Sequence, residues 1–301
     1  MREASAFAPG HLTGFFQICD EPDDPLLKGS RGAGFSIAQG IHTEVMVEPA
    51  ESISIQVKMN GAFTKEAVVS ENVAKRMLSK SNGCWRLEIT HEIGVPIGAG
   101  FGSSGGGAIT LALALNEVLE LGLSYVEVGR VAHVAEIECK TGLGTVFAVT
   151  QGGFGVLYRP GAPGVGEALK YGRSNELSCV YLHFGPISTA ESLSDPRLRE
   201  RINALGGRFV DQFREDLNPT TFMEFSRRFT EHVNIVTPRM KRVMDQADKA
   251  GFPCSMAMFG EALFSLVPRG EADLGAALFR EAAPRRRVCI LPVDDQGARL
   301  L

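Results

Sequence analysis

Glycine and serine dominate one stretch of the sequence, residues 96–107, which contains six glycines and two adjacent serines. It follows an alternating apolar and polar segment, residues 85–90, that predicts a strand, and it leads into an Ala- and Leu-rich helix predicted over 105–121. Backbone N–H groups at a helix start, together with the helix dipole, bind anions such as phosphate. The stretch therefore predicts a phosphate-binding loop. The residues expected at the phosphates are Pro96, Gly98, Gly100, Gly102, Ser103, Ser104, Gly105 and Gly106.

The loop differs from the two commonest nucleotide motifs. A Walker loop needs Gly-Lys-Ser/Thr after its glycines, and a dinucleotide fingerprint needs an acidic residue at the end of a following strand. Neither feature is present here. The alternative is a structural glycine-rich turn in which Ser103 and Ser104 act only as helix N-caps. The number of glycines and the serine pair favour phosphate binding.

Composition excludes several other classes of protein. The 301 residues carry 31 basic and 35 acidic side chains, without a long basic run. Binding to nucleic acid through neutralisation of its phosphates is therefore not indicated. No apolar run approaches the about 18 residues of a membrane span, and the first residues contain no apolar signal core. We expect a cytoplasmic protein. The six cysteines are far apart, which argues against zinc-site spacing and disulfides.

Secondary-structure signals predict an α+β protein of two domains, residues 1–163 and 164–301. In the first domain, alternation predicts a strand over 52–59, and the capping box from Ser124 to Glu127 predicts a helix running towards Lys140. A Gly- and Pro-containing link at 159–164 separates the two domains.

The second domain is predicted to contain strands and helices in alternation. A strand is expected over 180–184, a helix from a capping box at Thr221, and another helix that begins at Thr237-Pro238 and ends before Gly251. Gly260-Glu261 is predicted to be the two-residue turn of a hairpin.

The motifs resemble those of the GHMP kinases, the superfamily of galactokinase, homoserine kinase and mevalonate kinase. The loop at 96–104 is similar to the second motif of that superfamily, and Ala8-Pro9-Gly10-His11 to the first, with His11 in place of Lys. Residues 132–136, 142–146 and 152–153 look like the magnesium and substrate region. The runs at 6–16, 29–36 and 185–189 look most like those of archaeal pantoate kinases of coenzyme A biosynthesis, and the resemblance covers essentially the whole chain.

The resemblance implies a fold and a set of ligands. The fold is the two-domain GHMP kinase fold, with an N-terminal ribosomal-protein-S5-like domain and a C-terminal ferredoxin-like domain around the active site. The expected ligands are ATP, Mg²⁺ and a small acceptor, pantoate or a similar hydroxy acid, and related enzymes suggest a homodimer. Two features depart from the family pattern: Thr145 stands where relatives have a catalytic Asp, and the third motif, 255–260, has a single glycine.

Catalytic candidates follow from the oxygen ligands that Mg²⁺ prefers. Ser104 supplies a hydroxyl. Helical periodicity does not choose between Glu136 and Glu138 as the carboxylate, and the family spacing selects Glu136. His11 is placed to reach phosphate or substrate, the alternative being a buried structural histidine.

Substrate-binding candidates are weaker signals. Arg31, in a Gly-rich segment, is suited to pair with a substrate carboxylate, although surface Arg is the commoner case. The remaining candidates are the hydroxyl-bearing residues Ser36, Thr145, Ser188 and Thr189.

The functional prediction is transfer of the ATP γ-phosphate to the primary hydroxyl of pantoate, giving 4-phosphopantoate. Two alternatives stay open: another kinase of this superfamily, acting on homoserine or shikimate, and a non-catalytic nucleotide-binding regulatory protein. A kinase does not need a strong base, because phosphoryl transfer depends mainly on positioning and charge neutralisation.

Overall fold

The computed structural model describes residues 1–189 and 191–301 and contains two β-sheets with helices. The strands are β1 (Arg2–Cys19), β2 (Gly29–Pro49), β3 (Ser54–Met59), β4 (Ala62–Phe63), β5 (Trp85–Ile93), β6 (Phe154–Arg159), β7 (Glu167–Lys170), β8 (Leu177–Pro186), β9 (Ser255–Met256), β10 (Gly260–Pro268), β11 (Val288–Pro292) and β12 (Arg299–Leu300). The helices are α1 (Val68–Leu78), α2 (Ser103–Val118), α3 (Tyr125–Cys139), α4 (Thr145–Gln151), α5 (Thr189–Ser194), α6 (Pro196–Glu215), α7 (Pro219–Val233), α8 (Pro238–Lys249) and α9 (Ala272–Ala282). In the part of the chain so described, no helix has the length and apolar content needed to cross a membrane.

The first sheet is built on the long antiparallel pair β1 and β2. Its strands follow the order β12-β1-β2-β5-β3-β4, and β6 joins the opening residues of β2 and then pairs with β7. Irregularities between Pro9 and Gly10 and between Thr13 and Phe15 bend β1. Bulges of this kind re-aim the side chains that follow them. The second half of β1 thereby leaves the helices of the first sheet and packs against α6 and α7.

The second sheet is antiparallel, in the order β11-β8-β10-β9. A large apolar cluster joins it to β1 and β2 through phenylalanines such as Phe15, Phe35 and Phe222, which are fully buried. Edge-to-face ring pairs such as Phe15 with Phe213, at 5.5 Å, stabilise this cluster beyond simple burial. A second apolar cluster lies under the first sheet, among α1, α2 and α3.

Several predicted helix ends are confirmed. The Ser124–Glu127 capping box is formed at the start of α3. Thr237 is the N-cap of α8 and Pro238 its first residue, and Gly251, at φ +65°, follows the end of that helix. These ends could be predicted because the Ser124 cap, Pro238 at the first helical position and the positive φ of Gly251 are local features, although the Thr237 hydroxyl makes no capping hydrogen bond within the described residues.

Two local predictions are wrong. Helix α7 begins at Pro219 with Asn218 as its N-cap, because the Asn218 side chain accepts from the Thr221 N–H and Pro219 fits the first helical position. The hairpin turn is not at Gly260-Glu261, since both residues belong to β10 and pair with β8. The chain turns earlier, between Met256 and Gly260, where Phe259 adopts φ +59°.

The chain crosses between the sheets twice after residue 163. Strand β7, Glu167–Lys170, still belongs to the first sheet, so the chain leaves that sheet a few residues beyond the boundary expected from sequence. After β11 the C-terminal residues return to the first sheet, where Leu300 pairs with Ala6.

Candidate active site

A cavity of about 400 Å³ lies between the two sheets. Its lining comes from β1 and β2, the loop that precedes α2, the start of α4, the start of α5 and the turn before β10. The loop residues on its wall are Ile97, Gly98, Gly100, Gly102, Ser103 and Ser104. The predicted phosphate loop therefore forms one wall of this cavity.

Positive φ angles shape the phosphate loop. Gly98, Gly100 and Gly102 have φ values of +68°, +83° and +66°, which side chains other than glycine adopt only with strain. At Gly100 a Cβ would also lie 2.7 Å from the Met258 carbonyl oxygen. Gly102 is the N-cap of α2, and no side chain caps this helix. The free N–H groups of the first turn therefore remain available to an anion.

Backbone contacts hold the loop from both sheets. The His11 N–H donates to the Phe101 carbonyl at 2.9 Å, and the Ile187 N–H donates to the Gly98 carbonyl at 2.8 Å. Gly260 packs so closely against the Ala99 carbonyl that a side chain there would collide with it. The glycine-poor third motif thus supports the loop with its one glycine, and its Met258 and Phe259 line the cavity.

Ser104 and Glu136 meet beneath the loop. The Ser104 hydroxyl donates to Glu136 Oε1 at 2.7 Å, and the Thr141 hydroxyl donates to the same oxygen at 2.6 Å. Glu136 is 2% exposed, and its Oε2 has no hydrogen-bond partner within the described structure. Burial raises the pKa of Glu136, and the two hydroxyls oppose this shift. A buried carboxylate oxygen without a partner is suited to receive a cation.

The oxygen donors at this position fit Mg²⁺. Ser104 and Glu136 provide a hydroxyl and a carboxylate, and Mg²⁺ commonly takes one or two protein ligands while nucleotide phosphates and waters complete its shell. The described residues contain no group of three or more His, Cys, Asp or Glu side chains placed to hold a metal without such additional ligands. Gly142 leaves room beside Oε2, since a Cβ at that position would collide with the carboxylate.

Among the described side chains on the cavity wall, His11 is the ionisable one. Its Nδ1 lies 3.4 Å from the Ser36 hydroxyl, and burial lowers its pKa to about 4. The imidazole is therefore neutral at physiological pH and can accept a hydrogen bond. Ser36 is itself fully buried behind His11 and orients it, without lining the cavity.

The other predicted substrate residues divide into two groups. Thr145, Ser188 and Thr189 lie on the cavity wall. Arg31 does not: its guanidinium donates to Gln17 Oε1 at 2.5 Å and forms an ion pair with Asp211 at 2.6 Å. Its neighbours on β2, Ser30 and Gly32, line the cavity, and strand alternation directs Arg31 to the opposite face.

The remaining predicted residues lie next to the cavity. Pro96 precedes its wall, Gly105 packs against Thr145, and Gly106 packs against Ile41 on the core side.

Glu138 lies away from Ser104, on the exposed face of α3, where hydrogen bonds from Arg76 and Asn72 lower its pKa.

Sequence reasoning missed an apolar part of the wall. It comes from elements far apart in the chain, so periodicity within one element could not reveal it. Its residues are Phe16, Ala33, Leu143, Ala148, Leu157, Leu193, Met258 and Phe259. Thr13, Ser30 and Thr141 were missed as well, and the position of the third motif was the only signal that pointed to Met258 and Phe259.

A glycine-rich loop at a helix start, a buried carboxylate with a free oxygen and a cavity between two sheets are suited to phosphoryl transfer from a nucleotide. Residues 67–153 match the GHMP kinases N-terminal domain. A pantoate kinase of Thermococcus kodakarensis is 30% identical over 282 residues, which cover 92% of this chain and 91% of that enzyme. A pantoate kinase of Methanocaldococcus jannaschii is 31% identical over 260 residues, 86% of this chain and 91% of the relative.

A solved structure described as a phosphotransferase related to the coenzyme A biosynthesis pathway is similar along the whole chain. It superimposes with a TM-score of 0.88 at 28% identity and covers 99% of this chain and 98% of its own. The chain belongs to the GHMP kinase superfamily and, within it, to the pantoate kinase family.

Proposed function

We propose that this protein transfers the γ-phosphate of ATP to the primary hydroxyl of pantoate and produces 4-phosphopantoate, a step of coenzyme A biosynthesis. Membership of the pantoate kinase family supports the substrate. The structural observation that carries the chemistry is the Ser104–Glu136 pair, whose unpartnered Oε2 lies beneath the phosphate loop.

The phosphates of ATP are proposed to lie along the loop, against the N–H groups at the start of α2. Ser104 and Glu136 would hold Mg²⁺, which neutralises charge on the β- and γ-phosphates when bound. Ser103 contributes a second hydroxyl on the wall. This arrangement supplies the charge neutralisation that the described cavity-lining side chains do not, since they include no Lys or Arg.

The acceptor is proposed to lie between the phosphate loop and the apolar wall. Thr145, Ser188 and Thr189 offer hydroxyl donors to its carboxylate and hydroxyl groups. Neutral His11 would accept a hydrogen bond from the reacting hydroxyl and so orient an oxygen lone pair towards the γ-phosphate. With Thr145 in place of an Asp, orientation rather than strong base catalysis is the contribution expected from the protein.

The character of the cavity favours pantoate over homoserine. Pantoate has two methyl groups that Phe16, Leu157 and Leu193 can cover, whereas homoserine carries an ammonium group. Among the described cavity-lining side chains there is no Asp or Glu to pair with an ammonium, and the free Oε2 of Glu136 is assigned to Mg²⁺. Burying an unpaired charge is costly. The same lack of acidic partners is compatible with an anionic acceptor.

A coupled assay of ADP release tests this proposal. The purified protein is given ATP and Mg²⁺ with pantoate, homoserine, shikimate or no acceptor, and the phosphorylated product is identified by mass spectrometry and ³¹P NMR. We expect kcat/KM for pantoate to exceed that for homoserine by at least about 100-fold. Turnover of homoserine or shikimate without turnover of pantoate would agree with the superfamily assignment and contradict pantoate as the acceptor. Binding of an ATP analogue without any turnover would support the regulatory alternative. Sedimentation of the same sample tests the homodimer expected from related enzymes.

A further inference from the structure

Four buried polar side chains form a chain of hydrogen bonds that runs from α1 through β5 and β2 to α2, the helix that the phosphate loop enters. Its members are Ser70 on α1, His91 on β5, Thr43 on β2 and Thr110 on α2. Each is at most 5% exposed. Their contacts are Ser70 Oγ to His91 Nε2 at 3.0 Å, His91 Nδ1 to Thr43 Oγ1 at 2.7 Å, and Thr43 Oγ1 to Thr110 Oγ1 at 2.5 Å.

The direction of each hydrogen bond follows from one end of the chain. The Thr110 hydroxyl has a single proton, and it donates to the carbonyl oxygen of Gly106 at 2.9 Å, with that of Gly107 at 3.1 Å. On this assignment of the proton, Thr110 accepts from Thr43. Thr43 uses its proton on Thr110 and accepts from His91, so the imidazole carries its proton on Nδ1. Nε2 is then left to accept from Ser70.

The element at the end of this chain is intrinsically weak. The first turns of α2 contain Gly105, Gly106 and Gly107, and helical glycine is about 1 kcal/mol less favourable than alanine. Close packing requires two of these glycines, since a Cβ at Gly105 would lie 2.9 Å from Thr145 and one at Gly106 would lie 2.6 Å from Ile41. The helix start that faces the cavity must therefore be held by its surroundings.

This chain of hydrogen bonds includes a residue at each end of the phosphate loop. His91 lies two residues before the end of β5, from which the loop departs, and Thr110 lies in the helix that the loop enters. The imidazole also packs against Gly107, whose absent side chain would be 3.8 Å from His91 Cε1. Burial lowers the pKa of His91 to about 4, so the imidazole stays neutral and its hydrogen-bond pattern is retained at physiological pH.

We propose that His91 is a positioning residue for nucleotide binding, which fixes the N–H groups at the start of α2 through the directed chain Ser70, His91, Thr43, Thr110 and the Gly106 carbonyl. This inference rests on the proposed function in assigning those N–H groups to the phosphates of ATP. Anion binding by a preorganised backbone depends on placing donors to within about 0.5 Å. Breaking the chain should therefore weaken nucleotide binding more than it weakens binding of the acceptor.

The test measures Kd for a non-hydrolysable ATP analogue with Mg²⁺ by calorimetry, in wild type, Thr43→Val, Thr110→Val and Thr110→Ser. Valine keeps the shape of threonine and removes the hydroxyl, whereas serine keeps the hydroxyl. We expect the valine variants to bind the analogue about 10- to 50-fold more weakly, the range of one broken buried hydrogen bond. The Kd of Thr110→Ser should stay within about threefold of that of wild type, because the serine hydroxyl preserves the chain of hydrogen bonds.

Ser174→Ala is the matched control. Ser174 is also buried, at 1% exposure, and its hydroxyl donates to the Tyr171 carbonyl and accepts from the Phe154 N–H, but it does not line the cavity. This variant should lose thermal stability while its analogue Kd stays within about twofold. If Thr43→Val does not fold, Thr110→Val and Thr110→Ser still provide the comparison.

Long-range ¹H–¹⁵N spectra provide a readout that a packing role alone would not produce. In wild type, His91 should be neutral and protonated at Nδ1, with its resonance assigned by loss in His91→Phe. An Nε2–H tautomer overturns the proposal, as do valine variants that lose stability but bind the analogue as tightly as Ser174→Ala. Because analogue binding needs no acceptor, failure of pantoate as a substrate would not alter this result.

Discussion

The Ser104 hydroxyl donates to Oε1 of Glu136 at 2.7 Å, and Oε2 of the same carboxylate has no partner within the described structure. One oxygen is thus oriented by hydroxyl groups, while the other is left for a ligand from outside the chain. The two residues are 32 positions apart in sequence, with Ser104 at the start of α2 and Glu136 in the last turn of α3. This relationship underlies the first three predictions.

Ser104→Ala should lower kcat by about 10- to 100-fold, because it removes a proposed magnesium ligand and a hydrogen bond that orients Glu136. The apparent Mg²⁺ requirement should rise in parallel. Initial rates measured across a Mg²⁺ titration check both effects. Ser79→Ala, at an exposed serine after α1, serves as the control. Turnover near that of wild type with an unchanged Mg²⁺ dependence would remove Ser104 from the metal site.

Glu136→Gln should reduce magnesium-dependent activity by more than about 100-fold, and Glu138→Gln should change it less than about twofold. The two carboxylates lie on one helix but in different surroundings: Glu136 is buried beside Ser104, whereas Glu138 is bound to Arg76 and Asn72 at the surface. Steady-state kinetics of the pair provide an internal control. Equal losses would contradict the assignment of the metal ligand.

Glu136→Gln should also stabilise the protein when Mg²⁺ and ATP are absent. Burial raises the pKa of Glu136 in the folded state, so the folded protein holds this proton more tightly than the unfolded chain does. The stabilising contribution of the protonated group is complete below the unfolded pKa and is lost as pH rises through the folded pKa.

The melting temperature should accordingly show a pH-dependent difference between wild type and Glu136→Gln. At pH 4 the two proteins should melt together, and at pH 8 the variant should melt higher, by roughly 2 °C for each kcal/mol of burial penalty removed. Thermal melts in chelator across this range provide the measurement. A variant that melts lower than wild type at pH 8 would show that the hydroxyl bonds outweigh burial.

Local signals allowed a part of the fold to be predicted. The helix start at Ser124 depends on a few adjacent residues and was recognised from sequence, as was the glycine-rich connection from β5 into α2. Helices α6 and α9 were not recognised, because their positions depend on packing against β1 and the second sheet. The start of α7 was predicted at Thr221, although Asn218 and Pro219 supply its N-cap and first residue. The turn before β10 was missed because Gly260 is required by contact with Ala99 rather than by the turn itself.

The candidate site shows the same division. Ser104, Thr145, Ser188 and Thr189 lie on the cavity wall, and their roles in binding stay predictions. The apolar wall could not be predicted, because Phe16, Leu157 and Leu193 belong to elements that meet only in three dimensions. The hydrogen-bond chain through His91 could not be predicted either, because His91 lies in a strand with an alternating pattern and belongs to no recognised motif.

Arg31 provides the last prediction. From the sequence it is the cation best placed to bind the carboxylate of pantoate, which would make Arg31→Ala lose about 10- to 150-fold in kcat/KM for pantoate. In the structure, its guanidinium is bonded to Gln17 and Asp211 and joins β2 to α6. The ion pair is largely exposed on the side of Asp211, so its contribution to stability is expected to be about 1 kcal/mol or less.

On this geometry, Arg31→Ala should change kcat/KM for pantoate by less than about threefold and lower the melting temperature by about 2 °C or less. Asp211→Asn, which breaks the same ion pair from α6, should match that small loss of stability without altering pantoate kinetics. The measurements are kcat/KM for pantoate and thermal melts of wild type, both single variants and the double variant. If kcat/KM for pantoate falls 10-fold or more in Arg31→Ala and is unchanged in Asp211→Asn, Arg31 must leave Asp211 to bind the substrate carboxylate.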